Sequence, residues 1–122
     1  MTSHRGKVVL VTGAARGIGR AIADAHAAAG ASIAYLDHDP ALAEAAAEAA
    51  RVRGAKTLAV SADVADEASV KLAITRIAEA LGPVDVLVNN AGITPKSGAD
   101  GKRARLGEMS ADEWRRVLDV NL

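Results

Sequence analysis

Eight residues near the start, Thr12-Gly13-Ala14-Ala15-Arg16-Gly17-Ile18-Gly19, restrict what this chain can fold into more than any other segment. They follow a short apolar run over residues 7–11, which reads as a buried strand, and lead into a helical pattern that opens at Gly17. Glycine allows backbone angles closed to other residues and lets a ligand come close to the main chain. The unpaired N–H groups and the positive end of the helix at residues 17–20 then face that ligand, which favours an anion such as a pyrophosphate. A glycine-rich turn is often purely structural. The strand before it and the helix after it are what favour phosphate binding here.

The rest of the chain continues the alternation. Ile18, Ile22, Ala25 and Ala29 share one helical face, with Gly30 as the stop. Ser32–Asp37 reads as a second strand, and Pro40 opens a second helix that runs to about Arg53, where Gly54 ends it. Residues 56–61 form a third strand. Asp66 caps a third helix in which Val70, Ile74, Ile77 and Leu81 recur at helical spacing. Gly82-Pro83 closes that helix. Residues 84–89 then form a fourth, almost wholly apolar strand, as expected for a parallel strand covered on both faces. Residues 93–109, which carry Lys102, Arg103 and Arg105, read as a solvated loop, and Ser110 begins a last helix bearing Trp114, Val117 and Leu118. The expected fold is α/β, a Rossmann-like doubly wound parallel sheet in three α/β/α layers, reaching about four strands in the order 3-2-1-4.

Composition narrows the function. The 122 residues suit one nucleotide-binding domain, residues 1–122, or its N-terminal part. Only Trp114 and Tyr35 are aromatic, so alanines and aliphatics must fill the core. Fifteen basic residues balance fifteen acidic ones, so no global field favours nucleic acid or an anionic membrane. There is no cysteine, which excludes disulfides and thiolate metal sites. The apolar run after the basic start is too short for a signal peptide, and no stretch of about eighteen apolar residues exists to span a membrane. A cytoplasmic, soluble protein is the default expectation. His4, His26 and His38 are scattered without metal-ligand spacing, so they are expected at the surface, with no metal site.

The spacing Gly13-x-x-x-Gly17-x-Gly19, taken with Asn89-Asn90-Ala91-Gly92 after the fourth strand, resembles the short-chain dehydrogenase/reductase family. The resemblance runs from Lys7 to Leu122 and covers about the first half of the usual family domain. It implies an oxidoreductase that moves hydride between a nicotinamide cofactor and an alcohol or carbonyl compound. Gly13, Arg16, Gly17, Ile18 and Gly19 would hold the pyrophosphate, and Asp63 and Val64 would meet the adenine. Asn90, Ala91 and Gly92 would lie beside the nicotinamide ribose, while Asn89 would brace the sheet. Asn121 matches an asparagine that joins the family's proton relay. Asp37, eighteen residues after Gly19, stands where a carboxylate accepts the adenosine ribose hydroxyls. Its alternative role is to start the turn at Asp37-His38-Asp39-Pro40. A 2′-phosphate about 4 Å from Asp37 would meet roughly 4 kcal/mol of repulsion at an effective dielectric near 20, which favours NAD over NADP. Arg16 argues the other way, because NADP-using members often carry a basic residue before the second glycine.

The family's acid–base group is a Tyr-x-x-x-Lys pair with a serine upstream. Tyr35 is the only tyrosine, Asp39 stands four residues beyond it, and it lies at the adenosine end of the second strand. It is not the catalytic acid. The chain as given is therefore expected to be a fragment, inactive alone, whose fourth strand shows a bare apolar edge. The intact protein is expected to be a homodimer or homotetramer acting on a small molecule. Two alternatives stay open: a non-enzymatic nucleotide-binding module, and an S-adenosylmethionine-dependent methyltransferase.

Overall fold

Runs of aliphatic and β-branched residues become strands where both faces of the chain can be covered, and that condition shapes this molecule. The structure, a computed structural model, describes residues 3–91 and 112. Residues 3–91 belong to one unit of the chain. In chain order the elements are β1 (Val8–Thr12), α1 (Gly17–Ala28), β2 (Ser32–Asp37), α2 (Pro40–Val52), β3 (Thr57–Ser61), α3 (Glu67–Ala80) and β4 (Val86–Val88). The four strands are parallel and lie in the order β3-β2-β1-β4, as the alternation predicts. Boundaries move by a residue: the first strand begins at Val8 and ends at Thr12, and the third begins at Thr57.

Side-chain parity divides the core in two. Val9, Val11, Ile33 and Tyr35 project from one face of the sheet onto Ala23, Ala46, Ala47 and Ala50 of α1 and α2. Val8, Leu10, Ala34, Leu36 and Val60 project from the other face onto Ala73 and Ile77 of α3. Helices on both faces of a parallel sheet make the three-layer Rossmann-like arrangement.

α1 does not bury the face that the spacing of its large residues suggests, and α3 does so only in part, with Ile77 buried and Leu81 packed against the core. In α1 the buried residues are Gly19 and Ala23, while Ile18 is 75% exposed and Ala25 is also exposed. In α3 the buried pair is Ala73 and Ile77, and Ile74 is 46% exposed. Small residues win these positions because they bring the helix axis close to the sheet, where the backbone itself packs.

The fourth strand is also shorter than expected. Only Val86–Val88 joins the ladder. Before it, Asp85 closes a reciprocal pair with β1: its carboxylate accepts from Val8 N at 2.9 Å, and its own N–H donates to Val8 O at 2.9 Å. After it, the chain turns toward Thr12. Among the described residues β4 pairs with β1 alone, and Val86 and Leu87 are exposed, as the expected apolar edge requires. The loop over 93–109 lies outside the described residues. Of the expected last helix only Asp112 is described, and it is helical.

Ile77 is fully buried beneath β1 and β3, whereas Leu72 on the same helix is 69% exposed. Ile77→Ala is expected to lower the stability of the fold by about 2–5 kcal/mol, and Leu72→Ala to change it by under about 0.5 kcal/mol. Urea denaturation midpoints of the two variants check this ranking.

Candidate functional site

The carboxyl ends of all four strands meet at one edge of the sheet, and the glycine loop crosses that edge from β1 to α1. Thr12, the last residue of β1, ties it together. Its hydroxyl donates to Val88 O at 3.3 Å and accepts from Asn90 N and Ala91 N, each at 3.0 Å. The segment after β4 is thus fastened to the root of the glycine loop. Nothing in the pattern of apolar residues singles out Thr12. Its signal is a hydroxyl placed at the strand-to-loop junction.

Gly13 has φ +64°, a left-handed conformation that favours glycine, and a Cβ there would stand 3.0 Å from Ala91 Cα. Gly19 is needed for space rather than angle. A Cβ on it would run into Gly13 O and Asn90 Nδ2, groups already joined by a 3.3 Å hydrogen bond. Gly17 is the opposite case, with φ +63° and nothing within 4 Å of its added Cβ. The loop is therefore packed tightly on its inner side, at Gly13 and Gly19, and open at Gly17.

The second strand holds the loop from the other direction. Ala14 N donates to Leu36 O at 3.1 Å, and Ala15 N donates to Asp37 Oδ2 at 3.2 Å. Asp37 is 7% exposed, and its other oxygen accepts from Asp39 N at 3.2 Å and faces His38 Nδ1 at 3.1 Å. It does not cap α2. Asp39 does that, accepting from Ala41 N and Leu42 N at 3.1 Å each.

The three described helices differ at their N-termini. α2 and α3 begin on aspartate caps, Asp39 and Asp66. α1 begins on Arg16, whose backbone is extended and whose side chain makes no capping hydrogen bond, and no acidic residue lies in its first turn. The first-turn amides of any helix lack intrahelical acceptors, and the helix dipole adds partial positive charge there. Among the described residues no carboxylate caps α1. Exposed Ile18 stands in its first turn. The arrangement suits an external anion lying along Gly17, Ile18 and Gly19.

Asp63 and Val64 follow β3 at the same edge. Asp63 Oδ1 accepts from Ala65 N at 3.0 Å, and its N–H donates to Ser69 Oγ at 3.0 Å. Val64 packs partly buried against the α3 side of the core. Of the paired asparagines, Asn90 rather than Asn89 makes the bracing contact, and Asn89 is exposed. A loop amide can reach the Gly13 carbonyl only one residue further along, where the chain has curved toward Thr12. Gly13, Arg16, Gly17, Ile18, Gly19, Asp37, Asp63, Val64, Asn90 and Ala91 thus all lie on this edge or the loop crossing it. Gly92 and Asn121 lie outside the described residues.

His38 lies at the surface as expected, and His4 and His26 are half-buried. His4 and His26 are not scattered: their Nδ1 atoms are 3.0 Å apart and the rings stack at 4.9 Å, joining the N-terminal segment to the end of α1. His38 touches Asp37. Among the described residues, no three His, Cys, Asp or Glu side chains gather as a metal site, and no helix is long and apolar enough to cross a membrane. A cleft of about 400 Å³ lined by Asp24, Arg53 and Lys56 lies at the opposite end of β2, away from the glycine loop.

Tyr35 is fully buried and its hydroxyl donates to Asp24 Oδ1 at 2.7 Å. Burial first, then the hydrogen bond to Asp24 and the charge of that carboxylate, hold the phenol protonated well above its usual range. It has no path to acid–base work at the sheet edge.

With this geometry in place, the comparisons with known proteins converge. The model of the short chain dehydrogenase family matches residues 7–122. The D-threitol dehydrogenase of Mycolicibacterium smegmatis is 45% identical over 118 residues, which are 96% of this chain and 42% of that protein. The 3-oxoacyl-(acyl-carrier-protein) reductase of Staphylococcus aureus is 41% identical, covering 95% of this chain and 45% of its own length. Among solved structures, the 3-ketoacyl-(acyl-carrier-protein) reductase of Brucella melitensis, complexed with NADH, superposes with a TM-score of 0.86 at 38% identity, over 98% of this chain and 46% of that one. A Burkholderia phymatum short chain dehydrogenase/reductase in complex with NAD gives 0.87 at 34% identity, over 100% and 41%. The chain belongs to the short-chain dehydrogenase family, which sets the methyltransferase alternative aside. It spans less than half the length of these relatives.

Gly19→Ala is expected to push Asn90 and the loop apart and to cost more than about 2 kcal/mol, whereas Gly17→Ala carries only the left-handed backbone penalty of roughly 1 kcal/mol. Thermal melts that rank Gly17→Ala as the worse variant would contradict this packing.

The Tyr35 phenol gives a second expectation. Its folded pKa lies above the unfolded value near 10, so its contribution to stability is complete below that pH and declines as the pH rises above it. Absorbance at 295 nm, taken as the difference between the wild type and Tyr35→Phe, should show no tyrosinate near pH 10 while the fold persists. Ionisation there without unfolding would count against the buried Asp24 contact.

Proposed function

We propose that this chain holds the cofactor in a nicotinamide-dependent oxidoreductase that interconverts an alcohol and a carbonyl compound, with NAD preferred to NADP. It forms the N-terminal part of the nucleotide-binding domain. One observation carries the reading: α1 alone among the described helices starts without a carboxylate cap, at a loop open on the side of Gly17. The pyrophosphate would take the place of the missing cap, against the amides of Gly17, Ile18 and Gly19, with Arg16 at the rim. The NAD and NADH bound in the two similar structures support a dinucleotide as that anion.

Asp37 sits one strand over from the loop, where its carboxylate can accept from an adenosine ribose, and its charge opposes a 2′-phosphate. Asp63 and Val64 would flank the adenine. Asn90, Ala91 and Gly92 would pass beside the nicotinamide ribose. The bound nicotinamide would supply the hydride acceptor or donor. Asn121 would position a proton-relay group, a role resting on resemblance. The chain contains no Tyr-x-x-x-Lys, since Tyr35 is its only tyrosine, so the 122 residues alone would not turn over. The intact enzyme would act on a small molecule in the cytoplasm as a homodimer or homotetramer.

Fluorescence titration with the polypeptide in its full reading frame should give saturable NADH binding, with NADPH at least about tenfold weaker. Asp37→Ala should narrow that gap, chiefly by improving NADPH. The 122-residue chain should yield no NADH from alcohols. Failure to bind either nucleotide, or turnover by the short chain, would overturn the proposal.

A further inference from the structure

The amino ends of the strands, opposite the glycine loop, carry a pair of side chains that the cofactor reading does not use. His4 and His26 face each other with their Nδ1 atoms 3.0 Å apart, while the ring centroids stand 4.9 Å apart at an interplanar angle of 29°. The nitrogens lie closer together than the rings do, so the two Nδ1 edges are turned toward each other. Both backbones are fixed. His4 N donates to Ala29 O at 3.0 Å, and His4 O accepts from Lys7 N at 3.1 Å across a turn in which Gly6 takes φ +78°. His26 lies in the last turn of α1, and its carbonyl accepts from Ala29 N at 3.1 Å and Ala31 N at 3.2 Å. Each histidine is only half-buried, so water reaches the pair.

Left to themselves, two neutral rings share one proton between the Nδ1 atoms, one donating and the other accepting. A cation can use both lone pairs at once. A transition-metal ion about 2.0 Å from each nitrogen would see them at roughly a right angle, because they are 3.0 Å apart. That is the angle between neighbouring ligands in a square-planar or octahedral ion, whereas tetrahedral zinc would hold them about 3.3 Å apart. The carboxyl end of α1 adds partial negative charge beside His26, which favours a cation. Among the described residues no third His, Cys, Asp or Glu joins the pair, which leaves the remaining positions to water.

We infer that His4 and His26 form a two-imidazole site for a divalent transition ion of square-planar or tetragonal preference, Cu(II) first and Ni(II) second. The ion binds through the two Nδ1 atoms and ties the segment before β1 to the end of α1. Each ring then carries its proton on Nε2, away from the ion. The site is independent of the nicotinamide reading, which concerns the other end of the strands.

The test is titration of Cu(II) and Ni(II) chloride into the polypeptide in its full reading frame, purified without a histidine tag, with electron paramagnetic resonance of the copper form. The wild type is expected to take up an equivalent of Cu(II) with a tetragonal, nitrogen-split signal, and to hold Ni(II) less tightly. His4→Ala and His26→Ala should each bind that equivalent at least about tenfold more weakly, and His38→Ala within about twofold of the wild type. His4 lies outside the helices and strands, so His4→Ala keeps the fold even where His26→Ala does not, and thermal melts verify this. Copper bound equally by the wild type and His4→Ala places the ion elsewhere and overturns the inference, as does a wild type that takes up none. Zn(II) held as tightly as Cu(II) overturns the square-planar assignment.

Discussion

The carbonyl of Gly13, the side-chain amide of Asn90 and the bare Cα of Gly19 meet in a space that holds no further atom. That contact sets how near α1 can come to the ends of β1 and β4, and much else follows from it. With α1 this close, only Ala23 and Gly19 fit beneath it, so its isoleucines turn outward or to the side. With Asn90 drawn to Gly13, the chain leaves the sheet after Val88, and Thr12 receives the Asn90 and Ala91 amides on its hydroxyl. The short fourth strand, the rotated helix and the shared hydroxyl are three results of one close approach.

Carboxylates show the same economy of placement. Asp39 and Asp66 close the N-termini of α2 and α3, Asp85 closes the start of β1, and Asp24 receives the one buried phenol. Each satisfies donors that a helix start, a strand end or burial would otherwise leave without a protein partner. The N-terminus of α1 is left to Arg16, beside Gly17, where the loop is open on its outer side. An anion drawn there meets amides already held in position by β2 and β4. Little further ordering of the loop is then required on binding.

Much of this was legible in the residues alone. The alternation of apolar runs and helical spacing led to the strand order, because right-handed crossovers leave few ways to connect parallel strands. Gly13, Gly17, Gly19 and Asp37 marked a candidate site by residue type and spacing, and they lie together at the carboxyl ends of β1 and β2. Pattern failed wherever the outcome depended on closeness rather than hydropathy. Periodicity of large residues pointed to Ile18 and Ile74 as buried, yet Gly19 and Ala23 hold the buried face of α1, and Ala73 with Ile77 holds that of α3. Which of two adjacent asparagines reaches Gly13 depends on where the strand stops, and a near-continuous apolar run does not encode that stop. The pairing of His4 with His26 joins residues from two segments that have no common period.

Asp37 shows why a site residue cannot be read as a ligand contact alone. It braces Ala15 with one oxygen and the turn into α2 with the other. On the proposed nicotinamide reading, removing its charge would alter the loop as well as the ribose subsite, and the two effects would act on different parts of a dinucleotide. A change of loop position would fall on the pyrophosphate, common to both nicotinamide cofactors, and weaken them together. A change of charge falls on the 2′ position and separates them. The ratio of the two affinities cancels the shared part, whereas either affinity alone mixes both. On the proposed reading, selectivity, rather than binding strength, is thus the quantity in which Asp37 would express its own chemistry.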